Sequence, residues 1–184
     1  MNVPVAAAEL KTYVRDVPDF PKPGILFRDI TPLLSTAAAF GAAIDAMAQV
    51  VTSWEQGATA RPVNKIVGIE ARGFIFGAAL AQRAHKGFIP IRKPGKLPRK
   101  THVRRFSLEY GFDELHLHEG DLTADDTVVI VDDVLATGGT ANAAAELVAL
   151  TGAKVAGLLF CIELTPLKGR QKLPGRKLES ILVY

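Results

Sequence analysis

Thr127 to Thr140 reads TVVIVDDVLATGGT, and the order of residue types in it decides the fold class. Val128, Val129, Ile130 and Val131 form an unbroken apolar run, which suits a parallel strand covered on both faces. Charge enters only where the run ends, as Asp132 and Asp133. Ligands of open α/β sheets bind outside the carboxyl ends of the strands, so paired carboxylates there are placed to face a ligand. Thr137, Gly138, Gly139 and Thr140 then lead into an Ala-rich helical pattern. The glycines let the backbone wrap closely around an anion, and the start of the helix adds N–H groups and partial positive charge. An ordinary strand-to-helix turn with a Thr N-cap is the competing reading of ATGGT. The acid pair and the apolar strand before it favour a monophosphate site.

Two other phosphate loops are excluded. GxGxxG does not occur, and although Gly68 and Gly73 have the spacing that begins a Walker A motif, Phe74 and Ile75 stand where Lys and Ser or Thr are needed.

Outward from this segment, strands and helices alternate. Lys65 to Ile69 reads as a buried strand, Gly73 to Ala84 as a helix and Phe88 to Ile91 as the next strand. After the central strand and its helix, which runs to Leu150, Val155 to Ile162 and Ser180 to Val183 read as further strands. Val5 to Arg15 is expected to be a first helix, and Thr36 to Val51 a second with Phe40, Ile44, Met47 and Val51 on its core stripe. Ser107 to Tyr110 and Glu114 to His118 read as short strands with His116 and His118 outward. Thr165 and Pro166 suit an N-cap and a first helical position. The pattern predicts an α/β fold with a mainly parallel central sheet flanked by helices.

Composition bounds the rest. A chain of 184 residues suits one domain, and 48% hydrophobic with 22% charged residues is the balance of a globular protein. No run approaches the ~20 apolar residues of a membrane span, and no secretory signal is recognised, so a cytoplasmic protein without a membrane partner is expected. Cys161, the single cysteine, lies in an apolar run and reads as a small buried hydrophobe. The net charge of +3 is concentrated. Arg92, Lys93, Lys96, Arg99, Lys100, Arg104 and Arg105, interrupted by Pro94, Gly95 and Pro98, have no acid among them and read as a mobile cationic loop. Standing alone, such a loop is a solvated surface or a weak polyanion patch.

The segment VVIVDDVLATGGT resembles the phosphoribosyl pyrophosphate (PRPP) binding motif of type I phosphoribosyltransferases. FPKPGILFRDITPLL (Phe20 to Leu34), GIEARGFIFGAALA (Gly68 to Ala81), IRKPGKLP (Ile91 to Pro98), SLEYG (Ser107 to Gly111) and ELTPLKGR (Glu163 to Arg170) are similar to the adenine-specific branch of that family, in family order over nearly the whole chain. The resemblance implies the type I phosphoribosyltransferase fold as one domain over 1–184. Within it, 1–35 forms a small N-terminal base-binding hood, 92–110 a mobile lid loop and 127–150 the PRPP-binding strand, loop and helix. It implies transfer of the phosphoribosyl group of PRPP to adenine, giving AMP and pyrophosphate in purine salvage. The substrates are small molecules, the assembly a homodimer, and no nucleic acid is a partner. Two alternatives stay open: a 6-oxopurine phosphoribosyltransferase, and a noncatalytic PRPP-sensing regulator that binds nucleic acid.

Each chemical demand of the transfer can be matched to residues. Ala136, Thr137, Gly138, Gly139 and Thr140 supply donors for the 5-phosphate, and Asp132 and Asp133 accept the ribose hydroxyls. Arg72 offers a planar fork to pyrophosphate, with a salt bridge to Glu70 as its competing role, and Lys93 and Lys96 are the next cations. In the family this turn carries a non-proline cis peptide, expected at Glu70–Ala71 or Ala71–Arg72. Mg²⁺ is implied as cofactor, held chiefly through PRPP, pyrophosphate and water, with no direct protein ligand assigned. By resemblance Phe27 and Leu164 stack on adenine, while the backbones of Leu26 and Arg28 read its edge. Glu109 is the matching catalytic carboxylate, acting at N7, with a strand-end salt bridge as its competing role, and Tyr110 packs in the lid.

Overall fold

The computed structural model describes residues 7–56, 61–107 and 111–184. They form two compact units, Met1–Ala46 and Met47–Tyr184.

In the first unit a 3-10 turn, Ala7–Tyr13, stands where a longer helix over Val5 to Arg15 was expected. The Thr12 hydroxyl donates to the Glu9 carbonyl at 2.8 Å, a local bond that competes with helix propagation. Pro18 then biases the residues before it toward extended backbone, and Arg15–Pro18 is strand β1. It pairs antiparallel with β2, Leu26–Asp29, setting Val17 opposite Phe27. Helix α1 is Thr31–Ser35, with the Thr31 N–H donating to Asp29 Oδ1 at 2.9 Å. Helix α2, Ala37–Trp54, continues into the second unit.

The second unit is organised by a parallel five-stranded sheet. Its strands are β3 (Lys65–Ile69), β4 (Gly87–Ile91), β7 (Thr127–Leu135), β8 (Lys154–Glu163) and β9 (Leu178–Val183), arranged β4-β3-β7-β8-β9. The sequence-first of these strands is therefore flanked by the second and the third, and connections depart in opposite directions from β3 and β7. That gap is the switch point of a doubly wound sheet. Val128 to Val131 are fully buried, as their continuous apolar run requires, and Phe160, Cys161 and Ile162 on β8 are likewise enclosed. Helix α3 (Gly73–Arg83) follows β3, and α4 (Gly139–Ala149) follows β7. The inward face of α4 is built from Ala141, Ala143, Ala144 and Ala145 with Leu147 and Val148, so the helix lies close to the sheet.

Between β4 and β7 an antiparallel hairpin corrects the sequence reading. Strand β5 is Thr101–Ser107 and β6 is Phe112–His118, so half of the expected cationic loop is ladder. Arg104 and Arg105 hid the strand, because charge fell where apolar alternation marks one. Arg104 Nε donates to Glu146 of α4 at 2.7 Å, and Phe106 packs against the core. Arg92 exchanges two backbone hydrogen bonds with His116, at 2.9 and 2.8 Å, tying the hairpin to the end of β4. His116 and His118 are not the solvent face that was expected. Their side chains are 17% and 11% exposed, covered by Thr101 and by Arg99 with Asp121. At the far end of β8 a 3-10 turn runs Thr165–Leu167 with Leu164, not Thr165, as N-cap, and a second runs Gly169–Lys172.

Candidate active site

The carboxyl ends of β3 and β7 bring the candidate site residues together. Strand β7 continues past the apolar run to Leu135, so Asp132 and Asp133 lie within it rather than beyond it. Both still line one cleft at the end of the sheet. Asp133 is 6% exposed, and its Oδ2 lies 2.5 Å from Arg72 Nε without an aligned hydrogen bond. Arg72 therefore pairs with Asp133. Its expected alternative partner, Glu70, instead accepts the Lys93 N–H at 2.8 Å and faces the Arg92 guanidinium at 3.3 Å.

Asp132 Oδ1 accepts the Asp133 N–H at 2.9 Å. A Cβ on Gly73 would lie 2.7 Å from that same oxygen, so only glycine lets α3 start against the carboxylate. Burial and the neighbouring Asp133 charge push the Asp132 carboxyl well above the usual range. Burial also pulls Glu70 upward, but its bonds from Lys93 and Arg92 outweigh that and hold it low. The Cys161 thiol behind the site is pushed up to about 12 by burial and then by Asp133.

These groups surround a cleft of about 540 Å³ that Arg72, Lys93, Asp132, Asp133, Ala136 and Thr140 line together with Glu70, Ala71 and Val134. An adjoining pocket of about 80 Å³ is formed by Ala136, Thr137, Gly138, Gly139 and Thr140, with Asp132 at its edge. Gly138 is the N-cap of α4, with φ 80°, so the loop turns through a left-handed residue, and Thr137 does not cap the helix. The first N–H groups of α4 have no partner within the helix and open on this pocket. The peptide between Glu70 and Ala71 is cis.

Lys93 is the second cation at the cleft. Its Nζ pairs with Asp113 of β6 and lies over the Phe106 ring, 5.9 Å from the centroid. Lys96 does not line the cleft; its carbonyl accepts Arg92 Nη1 at 3.2 Å. Leu26, Phe27 and Arg28 lie on β2 of the first unit. Leu26 is exposed, Phe27 stands edge-to-face on Phe20 at 5.1 Å, and Arg28 pairs with Asp16. Leu164 follows β8 in the second unit, its N–H donating to the Leu135 carbonyl at 2.9 Å. Glu109 and Tyr110 lie outside the described residues.

Sequence reasoning did not assign Glu70, Ala71 and Val134 to the site, nor Asp113 as a partner of Lys93. Glu70 carried a usable signal, as an acid at the carboxyl end of a buried strand. Asp113 carried none, because its pairing depends on a hairpin that charge had concealed. Among the described residues no group of three or more His, Cys, Asp or Glu side chains is arranged to hold a metal ion. The adjacent carboxylates, with Asp133 Oδ2 lacking an aligned donor, fit a cation that keeps its waters and binds a substrate's phosphates. No helix among the described residues is long and apolar enough to cross a membrane.

Residues 32–179 match the family model of the phosphoribosyl transferase domain. An adenine phosphoribosyltransferase of Synechococcus sp. (strain JA-3-3Ab) is 57% identical over 166 residues, covering 90% of this chain and 91% of its own. The crystal structure of adenine phosphoribosyltransferase from Thermoanaerobacter pseudethanolicus superposes with a TM-score of 0.89 at 45% identity, over 97% of this chain and 100% of that one. The Saccharomyces cerevisiae enzyme, solved with adenine and an imino-altritol bisphosphate, gives 0.90 at 39% identity, over 96% and 98%.

Proposed function

The chain belongs to the phosphoribosyl transferase family, on its adenine phosphoribosyltransferase branch, and we propose from that premise which of its residues perform each part of the transfer. The reaction moves the 5-phosphoribosyl group of PRPP to adenine, releasing pyrophosphate and forming AMP. One observation carries the assignment of roles. A cation, two carboxylates and the start of a helix converge on one cleft at the sheet's switch point.

The 5-phosphate sits in the pocket of Ala136 to Thr140, held by backbone N–H groups and the positive end of α4. Asp132 and Asp133 accept the ribose hydroxyls. Arg72, 47% exposed and paired with Asp133, is the first cation for pyrophosphate, with Lys93 beside it at the cleft; Lys96, outside the cleft lining, is assigned to pyrophosphate by the family resemblance alone. Mg²⁺, when bound, neutralises pyrophosphate charge, and Asp132 and Asp133 are the residues that would hold its waters. As the bond from C1 to pyrophosphate oxygen breaks, C1 becomes oxocarbenium-like and adenine N9 bonds to it. In the N7–H tautomer N9 carries the attacking pair, and Glu109 takes the N7 proton. Fixed charges aimed at the departing pyrophosphate account for most of the acceleration.

By the family resemblance Leu26, Phe27, Arg28 and Leu164 are assigned to the base, and Tyr110 to the lid. Edge hydrogen bonds select adenine over a 6-oxopurine, because a mismatched edge leaves buried groups unpaired. Homodimerisation and a cytoplasmic location belong to the same proposal, the former checked by sedimentation. Pyrophosphate release with PRPP and Mg²⁺ tests the whole reading. Release must depend on adenine and not on hypoxanthine or guanine; PRPP binding without turnover of any base would remove the catalytic roles. Glu109→Gln is expected to lower kcat more than it weakens PRPP binding, and near-normal turnover would take Glu109 out of the mechanism. Arg72→Ala should cost on the order of 1.5–3 kcal/mol of pyrophosphate affinity, read by calorimetry.

A further inference from the structure

Gly138 and Gly169 are pressed together behind the phosphate loop. A Cβ on Gly138 would lie 2.4 Å from the Gly169 carbonyl oxygen, and a Cβ on Gly169 would lie 2.3 Å from the Ala136 carbonyl oxygen. Both obstacles are backbone, so no side chain can rotate aside. Gly138 needs its φ of 80° as well as the space. Gly169 has no such backbone demand, and close approach alone excludes a side chain there.

Gly169 opens the turn Gly169–Lys172, and that turn is held from its next residue. Arg170 Nε and Nη2 donate to Glu163 Oε1 and Oε2 at 2.7 and 2.8 Å, and Nη1 donates to the Leu178 carbonyl at 3.2 Å. Glu163 ends β8 and is 4% exposed, yet burial does not raise its carboxyl overall, because Arg170 holds it low. A bidentate pair of this kind fixes direction as well as distance. The next residue, Leu164, donates its N–H to the Leu135 carbonyl at 2.9 Å. The segment from Glu163 to Arg170 is thus hydrogen-bonded to the end of β7 at Leu135 and lies close against the backbone of Ala136, where the phosphate loop begins.

We infer that Gly169, fixed by the Glu163–Arg170 pair, is a positioning residue for the 5-phosphate: it backs the Ala136–Gly139 loop and sets where its N–H groups point. Neither Gly169 nor Arg170 lines the cleft or the phosphate pocket, so the effect is indirect. An alanine at Gly169 forces the loop and the turn apart by roughly 0.7 Å, the gap between 2.3 Å and the 3.0 Å that real Cβ contacts respect, and on this inference the loop takes up the shift. Displacements near 1 Å can cost ~10²-fold at a positioned group. The inference rests on the assignment of Ala136 to Thr140 to the 5-phosphate.

Calorimetric titration of the full chain with ribose 5-phosphate, and separately with pyrophosphate and Mg²⁺, tests it. In Gly169→Ala, ribose 5-phosphate affinity should fall by about tenfold or more, while pyrophosphate affinity holds, and KM for PRPP should rise more than kcat falls. Arg170→Gln, at a side chain 49% exposed, should shift the same ratio in the same direction by less, and it carries the test if Gly169→Ala does not fold. Equal losses for both ligands would reduce the segment to a stabilising one and overturn the inference. Unchanged ribose 5-phosphate affinity in the folded variants would do the same. A wild-type chain that binds pyrophosphate but not ribose 5-phosphate would overturn the phosphate-loop assignment itself, and this inference with it.

Discussion

Asp132 shows at single-residue scale how the site trades stability for chemistry. Its carboxyl is raised by burial and by Asp133, so the unfolded chain ionises there first, near the ordinary value of ~3.9, and the native chain only at higher pH. Stability from this group is complete at acidic pH and is lost as pH climbs through the native value. Asp132→Asn removes the cost and keeps an oxygen for the Asp133 N–H. It should raise Tm at pH 7.5 by about 2–4 °C, the shift that ~1 kcal/mol makes in a chain of this size. Thermal melts at pH 7.5 and 4.5 check this: the gain must shrink at the lower pH, and activity must be lost at both. Cys161 gives a second prediction at this scale. With its thiol pushed up to about 12 and its side chain fully buried, the native protein should resist iodoacetamide at pH 8 and react once unfolded, as mass spectrometry would show. Both residues could be read before the structure: an apolar run enclosed the cysteine, and the same kind of run ended at the acids. What sequence could not give was which acid faces Arg72, since that follows from the strand continuing to Leu135.

Elements differed in how legible they were, for physical reasons. Strand β3 was read to the residue, because a strand buried on both faces is apolar throughout and bounded by polar neighbours. The hairpin β5–β6 was half missed: its outer positions are charged, and its pairing is long-range. The first helix proved to be a 3-10 turn because a side-chain bond and a following proline outweighed local propensity. Helix α2 meets β8 through a contact that no periodicity reveals. A Cβ on Gly157 would lie 2.4 Å from the Trp54 ring, so the indole occupies the space a side chain would take. Gly157→Ala should therefore destabilise the protein by about 1–3 kcal/mol through overpacking, with kcat unchanged. Urea unfolding followed by Trp54 fluorescence reads it directly, as Trp54 is the chain's one tryptophan.

For the whole molecule, the site depends on two distant stretches of chain meeting at β3 and β7. The sheet builds that junction, and a bound ligand should add to its stability. PRPP with Mg²⁺ should raise Tm, its stabilisation growing with the logarithm of concentration above Kd and reaching about 2.7 kcal/mol at one hundred times Kd. If, as proposed, the carboxylates hold Mg²⁺ only together with phosphates, Mg²⁺ alone should move Tm little. A large shift with Mg²⁺ alone in a melting series would point to a dedicated protein-held metal. The sheet order itself was not legible in the sequence: alternating strands and helices imply parallel pairing but leave open which strand sits at the centre.

Strand β4 ends the sheet, and an open strand end is where separate molecules can join ladders. The Gly87 N–H and the Ile91 carbonyl bond inward, to Asn64 and Glu70, so alternation turns the backbone of Pro90 and Arg92 outward. Proline has no N–H to offer, and Arg92 is already bonded to His116. The margin is thus blunted at two successive outward positions, which guards the protein against edge-to-edge aggregation. Pro90→Val would restore a donor to that margin, and the cost would appear in light scattering of concentrated solutions before it appeared in catalysis.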